Sequence, residues 1–169
     1  CTSSKRFIVT EKNYDAIVDM LKTAFSEAKL GDPMLPETTL APLSTVKAKT
    51  NLTKQVKAAV EAGATLAFGD VEQNQPAALF EPVILTDITK ENPAFYQEFF
   101  GPVGQVYKVR DEAEAIALAN DSHYGLSGVV FGGSAEHAAE VASQIETGVV
   151  FVNSFGGTLP ELPFGGVKN

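Results

Sequence analysis

The sequence has a single cysteine and no long apolar run, and both shortages narrow the classes of protein that it can encode. No apolar run approaches the ~20 residues needed to cross a bilayer, and no basic, apolar opening of the kind found in signal peptides is present. Cys1 cannot form an internal disulfide, which fits a reducing compartment and predicts a cytoplasmic protein. Because packing is a weak explanation at the end of a chain, the thiol is a candidate for reactivity.

Positive charge is also scarce. Lysine and arginine number 13 against 21 aspartates and glutamates, which gives a formal net charge of -8. This balance argues against non-specific nucleic-acid binding and against an anionic membrane surface as partner. The composition, 44% hydrophobic and 20% charged, is that of a globular protein. A length of 169 residues makes one domain the default expectation.

Several well-known site motifs are absent from the sequence. It has no G-x-G-x-x-G dinucleotide fingerprint, no Gly-Lys-Ser/Thr phosphate loop and no Gly-x-Ser-x-Gly nucleophile elbow. If a nucleotide binds, the chain therefore supplies only part of its site. His123 and His137 have no partner at metal-ligand spacing, so no metal site is predicted.

Apolar periodicity alternates between that of strands and that of helices along the chain. Gly63 is the predicted stop of the second helix, and Pro82 suggests an edge strand or a bulge. The pattern predicts an α/β fold, namely a three-layer, open, mainly parallel sheet with helices on both faces. The predicted strands are 7–9, 64–68, 79–85, 103–109, 128–131 and 148–152, and the predicted helices are about 11–30, 45–62, 112–120 and 135–145.

Three places carry residues suited to chemistry. The Cys1 thiolate is a candidate nucleophile, although its pKa must be lowered from ~8.5 for fast reaction near neutral pH. Glu98, in Glu98-Phe99-Phe100-Gly101-Pro102, can accept hydrogen bonds from two vicinal hydroxyls of a ribose, and a neighbouring aromatic can pack on the sugar or on a heteroaromatic ring. Phe164, in Pro163-Phe164-Gly165-Gly166, can form a hydrophobic wall for a small substrate.

Each of the three also has a purely structural interpretation. Cys1 can be an inert thiol at a cut end of the chain. Glu98 can be a surface glutamate before a turn, and Phe164 can be a core phenylalanine that anchors a glycine turn. The residues alone leave these alternatives open.

The clusters occur in a fixed order over essentially the whole chain, and together they resemble the aldehyde dehydrogenase superfamily. The stretch from Asn153 through Thr158 to Pro163 is similar to the bacterial succinate-semialdehyde dehydrogenase branch. The matching segments are Cys1 with Arg6, Gly31-Asp32-Pro33, Pro42-Leu43, Glu98-Phe99-Phe100-Gly101-Pro102-Val103, Glu114-Ala115-Ile116, Ala119-Asn120, Tyr124-Gly125-Leu126, Val152-Asn153 and Pro163-Phe164-Gly165-Gly166-Val167-Lys168.

The resemblance implies oxidation of an aldehyde through a cysteine thiohemiacetal and thioester, with NAD or NADP as hydride acceptor. It makes Cys1 the nucleophile, with Glu98 on the nicotinamide ribose and Phe100 packed nearby. Phe164 would line the aldehyde pocket, and Thr158 would contact the carboxylate of succinate semialdehyde, unless it is an ordinary loop residue. Asn153 would hold the backbone around the cysteine loop.

The same resemblance places the family's general base, its oxyanion asparagine and its dinucleotide-binding domain before the cysteine. Residues 1–169 are therefore expected to be a catalytic-domain fragment that begins at the nucleophile and lacks the dinucleotide-binding domain. We expect the isolated fragment to be inactive and the full-length protein to be a homo-oligomer.

Two other functions remain open. The first is an amidohydrolase with Cys1 as an N-terminal nucleophile, which predicts a β-rich layered sandwich. The second is a non-catalytic α/β binding module in which Cys1 is incidental.

Overall fold

The structure, a computed structural model, describes residues 3–168. The chain divides into two compact units. One contains residues 5–108, and the other contains residues 109–168 together with Ser3 and Ser4.

The first unit contains a four-stranded sheet with the strand order β1-β4-β3-β2. Strands β3 and β4 are parallel, with Val83 opposite Val103, whereas β2 and β3 are antiparallel. The elements in chain order are β1 (Arg6–Thr10), α1 (Glu11–Ser26), α2 (Val46–Glu61), β2 (Thr65–Phe68), β3 (Val83–Thr86), a 3₁₀ turn (Pro93–Tyr96) and β4 (Val103–Val109).

Helix α1 covers one face of this sheet. Val18 of α1, Ile84 of β3 and Val106 of β4 form a buried cluster. Phe25 of α1 meets Phe68 edge-on, with ring centroids 6.4 Å apart. The spacing of the apolar residues in α1 predicted this buried stripe.

The opposite face of the sheet is equally closed to solvent. Val83 and Leu85 point away from Ile84 because side chains alternate along a strand, and both are 0% exposed. The other helix of this unit, α2, buries Leu52, Val56 and Ala59. Helices packed with a sheet that contains parallel strands confirm the predicted α/β class.

The ends of α2 follow directly from its sequence. The Thr45 hydroxyl accepts a hydrogen bond from the Ala48 amide at 3.0 Å, as an N-cap threonine does. Gly63 has a φ of 101°, the left-handed conformation that commonly closes a helix. The predicted helix and its glycine stop are therefore confirmed.

Three details of the sequence prediction are wrong. Pro82 does not mark an edge strand, because β3 lies between β4 and β2. The other alternative, a bulge, is not found at the proline itself, but the register of the neighbouring strand β2 shifts between Leu66 and Phe68 opposite β3. The proline precedes β3, where the sheet needs no hydrogen bond from its nitrogen. Helix α1 ends at Ser26, before the Gly31-Asp32-Pro33 turn. Leu79 and Phe80 lie outside the strand that was predicted to include them.

The second unit contains a parallel pair of strands, β5 (Ser127–Val130) and β6 (Val149–Val152), with Ser127 opposite Val149. Its helices are α3 (Glu112–Asn120) and α4 (Ala135–Ala142). Asp111 caps α3 and Ser134 caps α4 through their side-chain oxygens. No helix in residues 3–168 is long and apolar enough to cross a membrane.

His137 links the two helices of this unit. Its Nε2 lies 2.7 Å from a carboxylate oxygen of Glu112 in α3, and its Nδ1 lies 3.3 Å from one of Glu140 in α4. The His137 side chain is exposed. Hydrogen bonds to Glu112 and then to Glu140 raise the pKa of His137 above its ordinary value of 6.5.

We predict that this link makes stability depend on pH. A raised folded-state pKa stabilises the protein fully below the unfolded value, and the contribution is lost as the pH rises through the folded-state pKa. Thermal melting of the wild type and His137→Gln should therefore differ most near pH 6 and converge near pH 9. Glu136→Gln, on the same helix, is the control. A constant difference between wild type and His137→Gln at both pH values would contradict the link.

Candidate active site

Cys1, the predicted nucleophile, lies outside the described residues. Arg6, five residues after it in sequence, lies in β1. Its guanidinium is 5.4 Å from the centre of the Phe95 ring and 5.1 Å from that of Tyr107. Two aromatic faces thus hold the start of the strand that follows the cysteine segment.

Residues 98–102 form a loop between the 3₁₀ turn and β4, and we call it the 98–102 loop. Phe99 is 0% exposed, whereas Phe100 is 66% exposed. Glu98 is half-buried. The loop therefore anchors itself through Phe99 and offers a carboxylate and an aromatic ring, two positions apart, at its surface.

Helix α2 holds this loop from one side. The Gln55 side-chain amide donates a hydrogen bond of 3.2 Å to the Glu98 carbonyl. Gly101 lies against Leu52 and Leu43 so closely that a Cβ at position 101 would overlap Leu52 Cδ2. The glycine in this motif is therefore required by the close approach of the helix.

Lys5, the residue before β1, also holds the loop. Its Nζ donates to the Gly101 carbonyl at 3.2 Å, and its own carbonyl accepts from the Gln105 amide of β4 at 2.8 Å. Burial lowers the pKa of Lys5, while the negative charge of Glu98 acts to raise it. Sequence reasoning missed this residue because its partner is 96 positions away.

The 98–102 loop fits part of a dinucleotide. An ionised carboxylate can accept from both hydroxyls of a ribose, and an exposed ring can pack on the sugar or nicotinamide. Glu98 and Phe100 are the residues that would hold this part. Glu98 is half-buried, and its role as a ribose contact stays a prediction.

Asn153 ends β6 in the second unit and ties it to the loop after β5. Its Oδ1 accepts from the Gly132 amide at 2.8 Å and its Nδ2 donates to the Gly132 carbonyl at 2.9 Å. Its φ is 49°, a left-handed conformation that asparagine tolerates better than most residues. Its expected contact with the cysteine loop stays a prediction, because Cys1 is not among the described residues.

Thr158 and Phe164 follow β6 in the same unit and are both exposed. Phe164 is 50% exposed, so the alternative of a core phenylalanine is wrong. The segment is fixed beyond it, since the Val167 amide donates to the Gly125 carbonyl at 3.1 Å. Lys168 Nζ donates to the Asn120 carbonyl at 2.6 Å and pairs with Glu146 at 3.0 Å.

The structure thus brings the predicted residues together in pairs. Glu98 and Phe100 share one loop of the first unit, and Thr158 and Phe164 share one segment of the second. Lys5, Gln55 and Leu52, which fix the 98–102 loop, were not predicted as site residues. Only tertiary structure brings them to it.

Comparison with known proteins decides the family. The model of the aldehyde dehydrogenase family matches residues 1–169. The chain belongs to the aldehyde dehydrogenase family. This confirms the resemblance found in the sequence and the α/β fold that it implied.

Individual members of the aldehyde dehydrogenase family refine the comparison. The succinate-semialdehyde dehydrogenase [NADP(+)] of Deinococcus radiodurans is 44% identical over 168 residues, which are 99% of this chain and 35% of that protein. The crystal structure of succinic semialdehyde dehydrogenase from Streptococcus pyogenes with NADP+ is 54% identical, with a TM-score of 0.96, over 99% of this chain and 37% of that one.

A plant relative lies further away. Aldehyde dehydrogenase 21 of Physcomitrella patens, solved with the reaction product succinate, is 32% identical with a TM-score of 0.91 over 99% of this chain and 34% of that one. The chain therefore spans about a third of the length of these aldehyde dehydrogenases.

We predict that the two hydrogen bonds from Asn153 to Gly132 stabilise the folded protein. Asn153→Ala loses both bonds and also strains the backbone, which should cost about 2–4 kcal/mol. Asn153→Gly loses the bonds without the strain, so it should be less destabilising. Chemical denaturation gives the stability, and hydrogen exchange at the Gly132 amide reports the local effect. Unchanged exchange at Gly132 in both variants would show that the bonds are not maintained in solution.

Proposed function

We propose that the full-length protein containing this chain oxidises an aldehyde to the carboxylic acid with NADP or NAD. Two observations support the proposal. The family match covers the whole chain, and the 98–102 loop presents a carboxylate and an exposed ring suited to a nicotinamide ribose. The second observation carries the most weight because it concerns groups that could contact the dinucleotide directly.

In the proposed reaction, the Cys1 sulfur adds to the aldehyde carbon and forms a thiohemiacetal. When bound, the dinucleotide accepts the hydride that leaves this carbon. Loss of the hydride and of the hydroxyl proton converts the adduct into a thioester on Cys1. Water then hydrolyses the thioester, which releases the acid and returns the thiol. The base that activates this water is expected from residues outside this chain.

Each remaining site residue has a role in this proposal. Glu98 accepts hydrogen bonds from the ribose hydroxyls, and Phe100 packs against the nicotinamide half of the dinucleotide. Phe164 lines the aldehyde pocket, to which its half-exposed ring is available. Thr158 contacts a substrate carboxylate.

We propose succinate semialdehyde as the substrate. The names of the relatives from Deinococcus radiodurans and Streptococcus pyogenes support this choice. They also favour NADP over NAD, although the residues that would read the 2′ position are expected outside this chain.

We further propose that residues 1–169 are part of the catalytic domain of this enzyme, that the full-length protein is a cytoplasmic homo-oligomer, and that residues 1–169 alone are inactive. Exposed apolar side chains in the second unit support association. Phe155 is 91% exposed and Phe131 is 67% exposed. The cytoplasmic location rests on the single cysteine.

The alternative functions fare differently. An N-terminal cysteine amidohydrolase required a β-rich sandwich, and the α/β fold contradicts it. No observation specifically favours a non-catalytic binding module.

The test is steady-state kinetics of the full-length protein with NADP and succinate semialdehyde. We predict that Cys1→Ser lowers kcat by ~10³-fold or more, because it removes the nucleophile. Glu98→Gln should raise KM for the dinucleotide by ~10-fold, because an ionised acceptor of two hydroxyls is lost.

Glu91→Gln is the control, since Glu91 is an exposed carboxylate shortly before the same loop. It should leave both constants unchanged. Full activity in Cys1→Ser would remove Cys1 as nucleophile, and an unchanged KM in Glu98→Gln would remove the ribose contact.

A further inference from the structure

Lys5 connects the start of β1 to the 98–102 loop. The bond from its Nζ to the Gly101 carbonyl joins segments that are 96 residues apart in sequence. The backbone of the same residue is tied to β4 by the bond from Gln105. The Lys5 backbone is therefore held by β4, and its side chain extends to the loop and hydrogen-bonds there.

The ammonium also acts on Glu98. The charges of Lys5 and Glu98 are close enough for the carboxylate to raise the pKa of the lysine, against the lowering by burial. The attraction between the two opposite charges favours positions of the Glu98 side chain on the Lys5 side of the loop. An ionised carboxylate has two acceptor oxygens and no donor, so it can accept hydrogen bonds from two hydroxyls at once.

Two other contacts to the 98–102 loop come from uncharged side chains of α2. Gln55 holds the Glu98 carbonyl, and Leu52 packs on the Gly101 backbone. Both act from α2. Lys5 contacts the loop from the segment just before β1, and its Nζ brings a positive charge to the Gly101 carbonyl.

We propose that Lys5 is a positioning residue for dinucleotide binding, acting through the Gly101 carbonyl and the Glu98 carboxylate. The proposal rests on the proposed function, because it takes Glu98 as the ribose contact. Lys5 does not itself touch the reacting atoms. Its removal should loosen the loop and weaken dinucleotide binding more than it affects the chemical step.

The experiment compares Lys5→Met, Lys5→Arg and Lys12→Met in the full-length protein. Methionine keeps an unbranched stem without charge, and arginine keeps the charge and the donors. Lys12, exposed on α1, loses the same charge away from the loop. The dissociation constant for NADPH is measured by nucleotide fluorescence without aldehyde, alongside kcat, KM and thermal melting.

We expect Lys5→Met to weaken NADPH binding by ~10-fold, with kcat at saturation changed less than threefold. Lys5→Arg should recover most of the affinity, and Lys12→Met should match the wild type. If Lys5→Met does not fold, Lys5→Gln is used with the same expectation. NADPH affinity equal to the wild type in a folded Lys5→Met or Lys5→Gln would overturn the proposal.

The two proposals fail in different ways. If the wild type binds neither NADPH nor NADH, the proposed function fails, and the role of Lys5 fails with it. If the wild type binds and turns over but the folded Lys5 variants lose stability alone, the proposed function stands. Lys5 is then only a structural contact.

Discussion

The close approach of Gly101 to Leu52 of α2 is the constraint on which the candidate dinucleotide contact depends. No side chain fits at position 101 without moving a buried leucine. With the backbone pressed against the helix, Phe99 turns into the core and Phe100 turns outward. Glu98 is half-buried, and its negative charge is near enough to act on Lys5. One packing contact thus decides which groups of the 98–102 loop meet solvent and which support it.

Close backbone approach at glycine also occurs in the second unit. Gly148 approaches Gly165 so closely that a Cβ at position 148 would overlap the Gly165 carbonyl. Gly125 accepts from both the Gly148 and Val167 amides, at 2.9 Å and 3.1 Å. The segment that carries Phe164 is therefore held by backbone contacts at its far end. Its apolar side chains remain exposed, which suits a surface completed by residues outside this chain.

Much of this architecture could be predicted from the sequence because it depends on local signals. The β4 strand and α3 were predicted with their observed bounds, since the apolar periodicity of each is visible in the chain. The antiparallel pairing of β2 was not, because a short apolar run does not indicate its direction. The interior position of β3 was missed for a related reason. A proline inside a strand indicates an edge position, but β3 begins at Val83, after Pro82.

The residues of the candidate site also differ in whether a local sequence signal identifies them. Glu98, Phe100, Phe164 and Thr158 were found from ordered motifs and their resemblance to a family. Lys5 and Gln55 are ordinary polar residues in the sequence and act only through distant backbone carbonyls. The expected role of Asn153 at the cysteine loop stays a prediction, and its bonds to Gly132 were not foreseen. Motifs thus identify groups that face a ligand, whereas the groups that hold them emerge from tertiary structure.

The central claim is that Cys1 carries the aldehyde through oxidation, and trapping the intermediate tests it most directly. Full-length protein is mixed with succinate semialdehyde and NADP, quenched in acid within one turnover, digested and analysed by mass spectrometry. The account predicts that the peptide containing Cys1 gains the acyl group of a thioester only when aldehyde and dinucleotide are both present. An unmodified Cys1 peptide during active turnover, or an acyl group on another residue, would contradict it.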